Sequence, residues 1–523
     1  MSESVGSARR PRLRESFTGR NAFILVAIGS AVGLGNIWRF PYITYENGGG
    51  AFLIPYLIAL LTAGIPILLF DYAIGYKFRG SPPLAFKRLH PKAETIGWLQ
   101  VGICFLIAIY YSAIIAWAAM YTWFSLTQAW GDDAEGFFFS EFLQYDAGGT
   151  EGTGISVDFV AQVGWPLIAV WAVLLVALAT GVRRGITLVS MIGIPLLFLM
   201  FIVLVGYSLT LEGAVEGLNA LFTPDWGALT NGTVWIQAYG QIFFTLSVGF
   251  GIMITYASYL KRRTNTTGSG LVVGFTNSSF ELLSAIGVFA ALGFLAVAAN
   301  TAVDEVASSG LGLAFVAFPT IISEAPASAL IGVLFFGGLT LAGLTSQISI
   351  MEVVISAVKD KTGWSRVKTV TLVGGLIAVI SIVLVGGVSG VTILDVVDAF
   401  SNNIGIVGGA LIAVIMVSWV FRRLDVLAAA LNRFGSFKVG RIWKTLLGIV
   451  LPVVLSVLLV MDITDKITEG YGGFDTWVLV TFGWGSLAVV IVASIALSLM
   501  PWRGASALHQ EDPDRDEVGK ETV

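Results

Sequence analysis

Twelve apolar stretches, each near or above the ~20 residues that cross a hydrocarbon layer as a helix, divide this 523-residue chain almost end to end. They run over 21–43, 50–76, 96–128, 162–181, 186–211, 233–260, 268–299, 327–357, 368–388, 392–421, 441–461 and 476–501. Only 12% of the residues are charged, against about 25% in a soluble chain. Backbone in lipid must satisfy its own hydrogen bonds, so runs of this length choose helices. The expected fold is an all-α, polytopic membrane protein with 12 transmembrane helices. The first run is too long and irregular for a signal peptide, and no cleavage site follows it. The 61 glycines, well above the usual ~7%, suit close helix contact in lipid.

Lys and Arg set an orientation. They fill the N-terminal tail (Arg9 to Arg20) and every second loop, among them Lys77, Arg79, Lys87, Arg88 and Lys92, then Lys261 to Arg263, then Lys359 to Lys368. Of the 30 basic residues, only Lys466 falls in the alternate loops and only Arg39 lies inside a span away from its basic end. Those alternate loops are acidic, with Asp132, Asp133, Glu135, Glu212 and Asp304 among their residues, and the longest covers 131–160. Both termini are therefore expected in the cytoplasm of a plasma-membrane protein. Residues 1–20 read as a basic tail and 502–523 as an acidic, disordered one.

One cysteine, Cys104, excludes a disulfide framework, and with that single thiol and only His90 and His509 a zinc or haem centre is not expected. No nucleophile–base pair lies at membrane depth, so an enzyme is not expected. Ionisable groups at that depth are costly and mark function by default. They are Arg39, Asp71, Glu281, Asp395 and Asp398. Arg39 requires a carboxylate partner, and Asp398 lies at similar depth; the alternative makes Asp398 an exposed helix-end residue. Asp71 and Glu281 could each be satisfied structural groups. Glu352 reads as a wet helix end.

Gly29-Ser-Ala-Val-Gly-Leu-Gly-Asn36 sits in the middle of the first span, and Ser247-Val-Gly-Phe-Gly251 repeats it in the sixth. Each glycine costs a helix interior about 1 kcal/mol against Ala, so both spans are built to be broken. Non-helical backbone at membrane depth survives only where it is buried or lines a cavity, and a matched pair in two halves points to a transporter's binding site.

Five strings occur in order: Gly33-Leu-Gly-Asn-Ile-Trp-Arg-Phe-Pro41, Glu46-Asn-Gly-Gly-Gly-Ala-Phe52, Gln241-Ile-Phe-Phe-Thr-Leu-Ser247, Ile254-Thr-Tyr-Ala-Ser-Tyr259 and Ala342-Gly-Leu-Thr-Ser346. On these the chain resembles the neurotransmitter:sodium symporter family, in its prokaryotic amino-acid-transporter branch, from Arg14 to about residue 420. The resemblance implies a LeuT-type 5+5 inverted repeat with discontinuous helices 1 and 6. The transport core would be 21–421, with repeats at about 21–211 and 233–421, and two appended helices would occupy 422–501.

It also implies two Na+ sites. The first would use the Ala31 carbonyl, Asn36, Thr245 and Asn277, completed by the substrate's carboxylate. The second would use the carbonyls of Gly29, Val32 and Ala342 with the Thr345 and Ser346 hydroxyls. The substrate would meet Ala31, Leu34, Gly35, Ile107, Tyr111, Phe244, Thr245, Ser247, Phe250, Ser346 and Ile350. Monoamine carriers of the family place Asp where this chain has Gly33, so the ligand here should bring its own carboxylate; an uncharged pocket then favours a neutral, apolar amino acid. Glu281 stands where chloride-dependent relatives have Ser, which implies a fixed negative charge and no chloride requirement.

By the same mapping, Arg39 and Asp398 form an outer gate, and Arg14, Tyr259 and Asp360 an inner one. The departures are Phe17 where Trp is common, Ser30 where Asn is, and Asp71 where Glu is. The expected function is sodium-coupled uptake by alternating access, with an amino acid and membrane lipid as partners and no nucleic acid. The oligomeric state is left open. The alternative is an amino-acid sensor of the same fold that binds without transport.

Overall fold

The computed structural model describes residues 15–146, 148–150, 152–303 and 310–503. The first expected span folds as two helices, Arg20–Ala31 (α1) and Leu34–Glu46 (α2), bent by 56°. The next are Gly49–Phe78 (α3), Glu94–Phe124 (α4), Ala161–Ala179 (α5) and Arg184–Ser208 (α6). The sixth span divides again, into Gly232–Thr245 (α7) and Ile252–Ala257 (α8). Thr266–Ala299 (α9), Ser328–Thr362 (α10), Arg366–Val385 (α11), Gly390–Val420 (α12), Arg441–Thr468 (α13) and Thr476–Leu499 (α14) complete the bundle. Ten of these helices are long and apolar enough to cross a membrane alone, and the bent α1–α2 pair makes an eleventh. The remaining expected span, 233–260, is the pair α7 and α8, each too short to cross by itself.

Buried side chains form one large core that α4 and α10 traverse together. Outside it, Leu57, Leu61, Val176, Ile192, Leu199, Val379, Val453 and Val492 are exposed, the girdle a lipid-facing bundle requires. The structure carries α13 on to Thr468, beyond the expected 461, and Asp462 and Lys466 pair along this extension at 3.8 Å. Charge ended the apolar run there but did not end the helix.

The loop 131–160 is held in place. The amide of Val160 donates to Gly386 O at 3.0 Å, and Phe159 and Gly387 form an isolated antiparallel bridge. The C-terminal boundary expected at 502 falls inside an anchored segment: Trp502 donates to Glu94 at 3.1 Å and the Arg503 amide donates to Lys361 O at 3.1 Å.

Candidate substrate and ion site

The two breaks have different local causes. At the first, Val32 and Gly33 are extended, and Asn36 caps α2 by accepting from the Gly33 amide at 2.8 Å. At the second, φ is +51° at Ser247, +84° at Gly249 and +90° at Gly251. A Cβ at Gly249 would stand 2.7 Å from the Ala410 Cβ, and one at Gly251 2.6 Å from Pro82 Cγ, so conformation and space both demand glycine. The Ser247 hydroxyl donates to Ser30 O at 2.8 Å and ties one break to the other.

Backbone freed by the second break finds partners, as buried polar groups must. Gly249 N donates to Asp71 at 3.1 Å and Gly249 O accepts from Gln100 at 3.0 Å. Asp71, 1% exposed, thus braces unwound backbone, the structural role that the sequence left open.

The residues expected around the first sodium come together. Asn36 Nδ2 donates to Thr245 Oγ1 at 3.0 Å and to Asn277 Oδ1 at 2.9 Å, and Asn277 Nδ2 donates to Thr245 Oγ1 at 2.9 Å. All three are buried, although α2, α7 and α9 lie far apart in the chain. Amide and hydroxyl oxygens are the hard, neutral donors that suit a monovalent cation. The second expected set also converges. Ser346 Oγ lies 3.4 Å from the carbonyls of Gly29, Ser30 and Val32, and Thr345 Oγ1 donates to Ala342 O at 3.0 Å. The Ser30 carbonyl is an addition that no motif had indicated.

Between these clusters lies a cavity of about 230 Å³. Ala31, Leu34, Gly35, Ile107, Tyr111, Phe244, Thr245, Ser247, Phe250, Ser346 and Ile350 all line it. Tyr111 lies beside Ser346 and the Leu34 backbone, where the N-terminus of α2 presents its free amides. Only a glycine at position 35 leaves room for the Phe244 ring, since a Cβ there would come within 2.3 Å of Phe244 Cε1.

The same cavity reaches Asp395, Asp398 and Asn402 and so opens toward the acid-rich end of the bundle. Arg39 and Asp398 do not form an ion pair there: the Arg39 guanidinium sits over Phe244, 4.7 Å from the ring centroid, and Asp398 accepts from Asn402 at 2.7 Å. Asn402 was not anticipated; its position one helical turn past Asp398 was the available signal.

The opposite, basic end is sealed. Phe17 is 1% exposed and meets the rings of Phe23, Tyr256 and Tyr259, so the smaller ring in place of Trp still fills the plug. Of the expected inner set, Arg14 lies outside the described residues. Asp360 accepts from the Ser81 amide at 2.9 Å, and Tyr259 donates to Glu352 at 2.6 Å. Glu352 is the clearest correction. It is fully buried rather than wet, and Arg366 grips both of its oxygens at 3.1 and 2.6 Å. Its partner comes from the next helix, which a hydropathy pattern cannot foresee.

Glu281 is likewise fully buried. It accepts from Gln241 at 2.6 Å and from the Tyr56 hydroxyl, and it lies beside Thr245. A carboxylate therefore stands next to the expected first cation site.

Comparison with known proteins shows the family to which the chain belongs. The family model for the sodium:neurotransmitter symporter family matches residues 14–135 and 131–503. An uncharacterised sodium-dependent transporter of Methanocaldococcus jannaschii is 39% identical over 488 residues, covering 93% of this chain and 98% of that protein. The sodium- and chloride-dependent glycine transporter 2 of Xenopus laevis is 26% identical over 92% of this chain and 68% of its own length. The sodium-dependent serotonin transporter of Drosophila melanogaster is 29% identical over 86% and 77%. The chain is a multi-pass membrane protein, not an enzyme, and belongs to the sodium:neurotransmitter symporter family.

Proposed function

We propose that this symporter carries a neutral, apolar amino acid into the cell with sodium, by alternating access and without chloride. The observation that supports this most is Gly33. With no side chain, it leaves open the space between Ser346, Tyr111 and the amides that begin α2, where an anionic group on the ligand is best received. The ligand's carboxylate would then complete the oxygens of Ala31, Asn36, Thr245 and Asn277 around one sodium. A second sodium would sit among the carbonyls of Gly29, Val32 and Ala342 and the Thr345 and Ser346 hydroxyls. Ile107, Phe250 and Ile350 give the side chain an uncharged wall.

In this reading the acidic end faces outward, so a cavity open there and sealed by Phe17 and Tyr259 is the outward-facing state. Arg39 would close over the ligand by leaving Phe244 for Asp398. Glu281 would supply the negative charge beside the first sodium that chloride supplies elsewhere. The drive is adequate: two sodium ions crossing ~100 mV gain about 2.3 kcal/mol each, plus about 1.4 kcal/mol each from a tenfold gradient, enough for roughly a 10⁵-fold accumulation if coupling is tight.

Proteoliposomes given an inward sodium gradient should accumulate labelled leucine, and gluconate in place of chloride should leave the rate unchanged. Equal uptake in potassium would overturn sodium coupling. Binding without accumulation would identify a sensor.

A further inference from the structure

A second cavity, of about 440 Å³, lies away from the substrate site between α4, α12, α13 and α14. Its floor is made of Gly405, Gly408 and Gly409 on α12, and its walls are aliphatic, among them Leu99, Leu459 and Ile491. The glycines give it depth. A Cβ at Gly408 would meet Leu459 at 3.8 Å, an ordinary contact, so a methyl-sized group fits above that glycine against the Leu459 side chain. Along α12 the groove extends from Ile404 to Met416, about 18 Å at 1.5 Å per residue, against about 15 Å for one leaflet's half of the hydrocarbon core.

The basic end of the groove is different. Lys92 lines it there and is exposed, and among the described residues its ammonium has no acidic partner. His90, two residues earlier, stacks on Phe421 at 4.1 Å, which brings the Lys92 loop against the end of α12, where exposed Arg422 and Arg423 follow. An apolar trough about one leaflet deep thus ends at Lys92, with Arg422 and Arg423 exposed on the segment that follows Phe421.

We propose that this groove binds an anionic phospholipid, with an acyl chain over the α12 glycines and the phosphate at Lys92, Arg422 and Arg423. Charge complementarity at one end and length at the other select that occupant over a second copy of the chain, whose apolar helix would leave the three cations unmatched. The site does not depend on what the carrier transports. Its other side does bear on the carrier, because α12 also brings Asp398, Asn402 and Ile406 to the substrate cavity.

The test is native mass spectrometry of the full-length protein, titrated separately with phosphatidylglycerol and phosphatidylcholine. The wild type should retain one phosphatidylglycerol that phosphatidylcholine does not replace. Lys92→Gln should weaken it by about fivefold, the effect of one cation at a lipid surface. Gly408→Leu, whose β-carbon would already contact Leu459 and whose remaining atoms compete for the groove, should abolish it. Two results would overturn the proposal: equal retention of both lipids, or phosphatidylglycerol retention that neither variant changes.

Discussion

A β-carbon added to Gly33 would stand 3.2 Å from Ser346 Oγ and 3.3 Å from the Tyr111 hydroxyl, so any side chain at position 33 points into the cavity between them. Gly33→Asp would place its carboxylate where the ligand's own is proposed to bind. Two like charges in one desolvated site repel strongly. Leucine uptake should fall by at least about tenfold, and binding of an amine that lacks a carboxylate should appear. Competition binding with leucine and its decarboxylated analogue measures both.

Glu281→Ser removes the buried carboxylate beside Thr245. Uptake by this variant should become chloride-dependent, lost in gluconate and restored in chloride, while the wild type transports equally in both. A variant inactive in both salts, yet folded, would argue that Glu281 serves only Tyr56 and Gln241.

The Arg39 guanidinium lies over the Phe244 ring, 4.7 Å from its centroid, beside the substrate cavity. Lys keeps the charge but not the plane or the fork. Arg39→Lys should lower the rate of uptake by about tenfold while sodium binding stays intact. Flux assays paired with equilibrium sodium binding separate those effects.

Glu352 and Arg366 form a buried, two-point ion pair at the sealed end. Removing one member of such a pair strands the other, at a cost of about 3–5 kcal/mol. Glu352→Gln should therefore open the basic end. A reporter cysteine at Ser356, 2% exposed, should then label at least about tenfold faster in a Cys104→Ser background. Tyr259→Phe, which removes the hydrogen bond to Glu352 but leaves the Glu352–Arg366 pair in place, should have a smaller effect.

Glu15 adds a pH dependence to the same seal. Burial opposes its charge, but the Val182 amide at 2.9 Å, Arg366 and Lys359 more than offset this and hold its carboxyl below the ordinary 4.5. A depressed carboxylate stabilises the closed end above its unfolded pKa, and that contribution is lost as pH falls through the depressed value. Labelling at Ser356 should accordingly be slow at neutral pH and rise below about pH 4.5. Glu15→Gln should label faster at neutral pH and lose that acid-induced rise.

Much of this was legible along the chain because lipid leaves few choices. Apolar length dictated helices, and glycines at Gly33 and Gly249 announced where two of them break. The motif around Asn36 and the one around Thr245 named their residues without showing that they touch. That contact, 3.0 Å across more than two hundred residues, is a property of how α2, α7 and α9 cross. Glu352 fell on the wrong side of the reading for the same reason: hydropathy treats a carboxylate near a helix end as wet unless its partner is known. Asp71, Glu281 and the groove beneath Lys92 repeat the lesson. Local composition determines which segments enter the membrane and where they cannot stay helical, since those depend on each residue's own solvation and backbone freedom. Which charges are matched, which cavities stay open and which end is sealed are settled by packing alone, because they depend on the distance between groups that the chain keeps far apart.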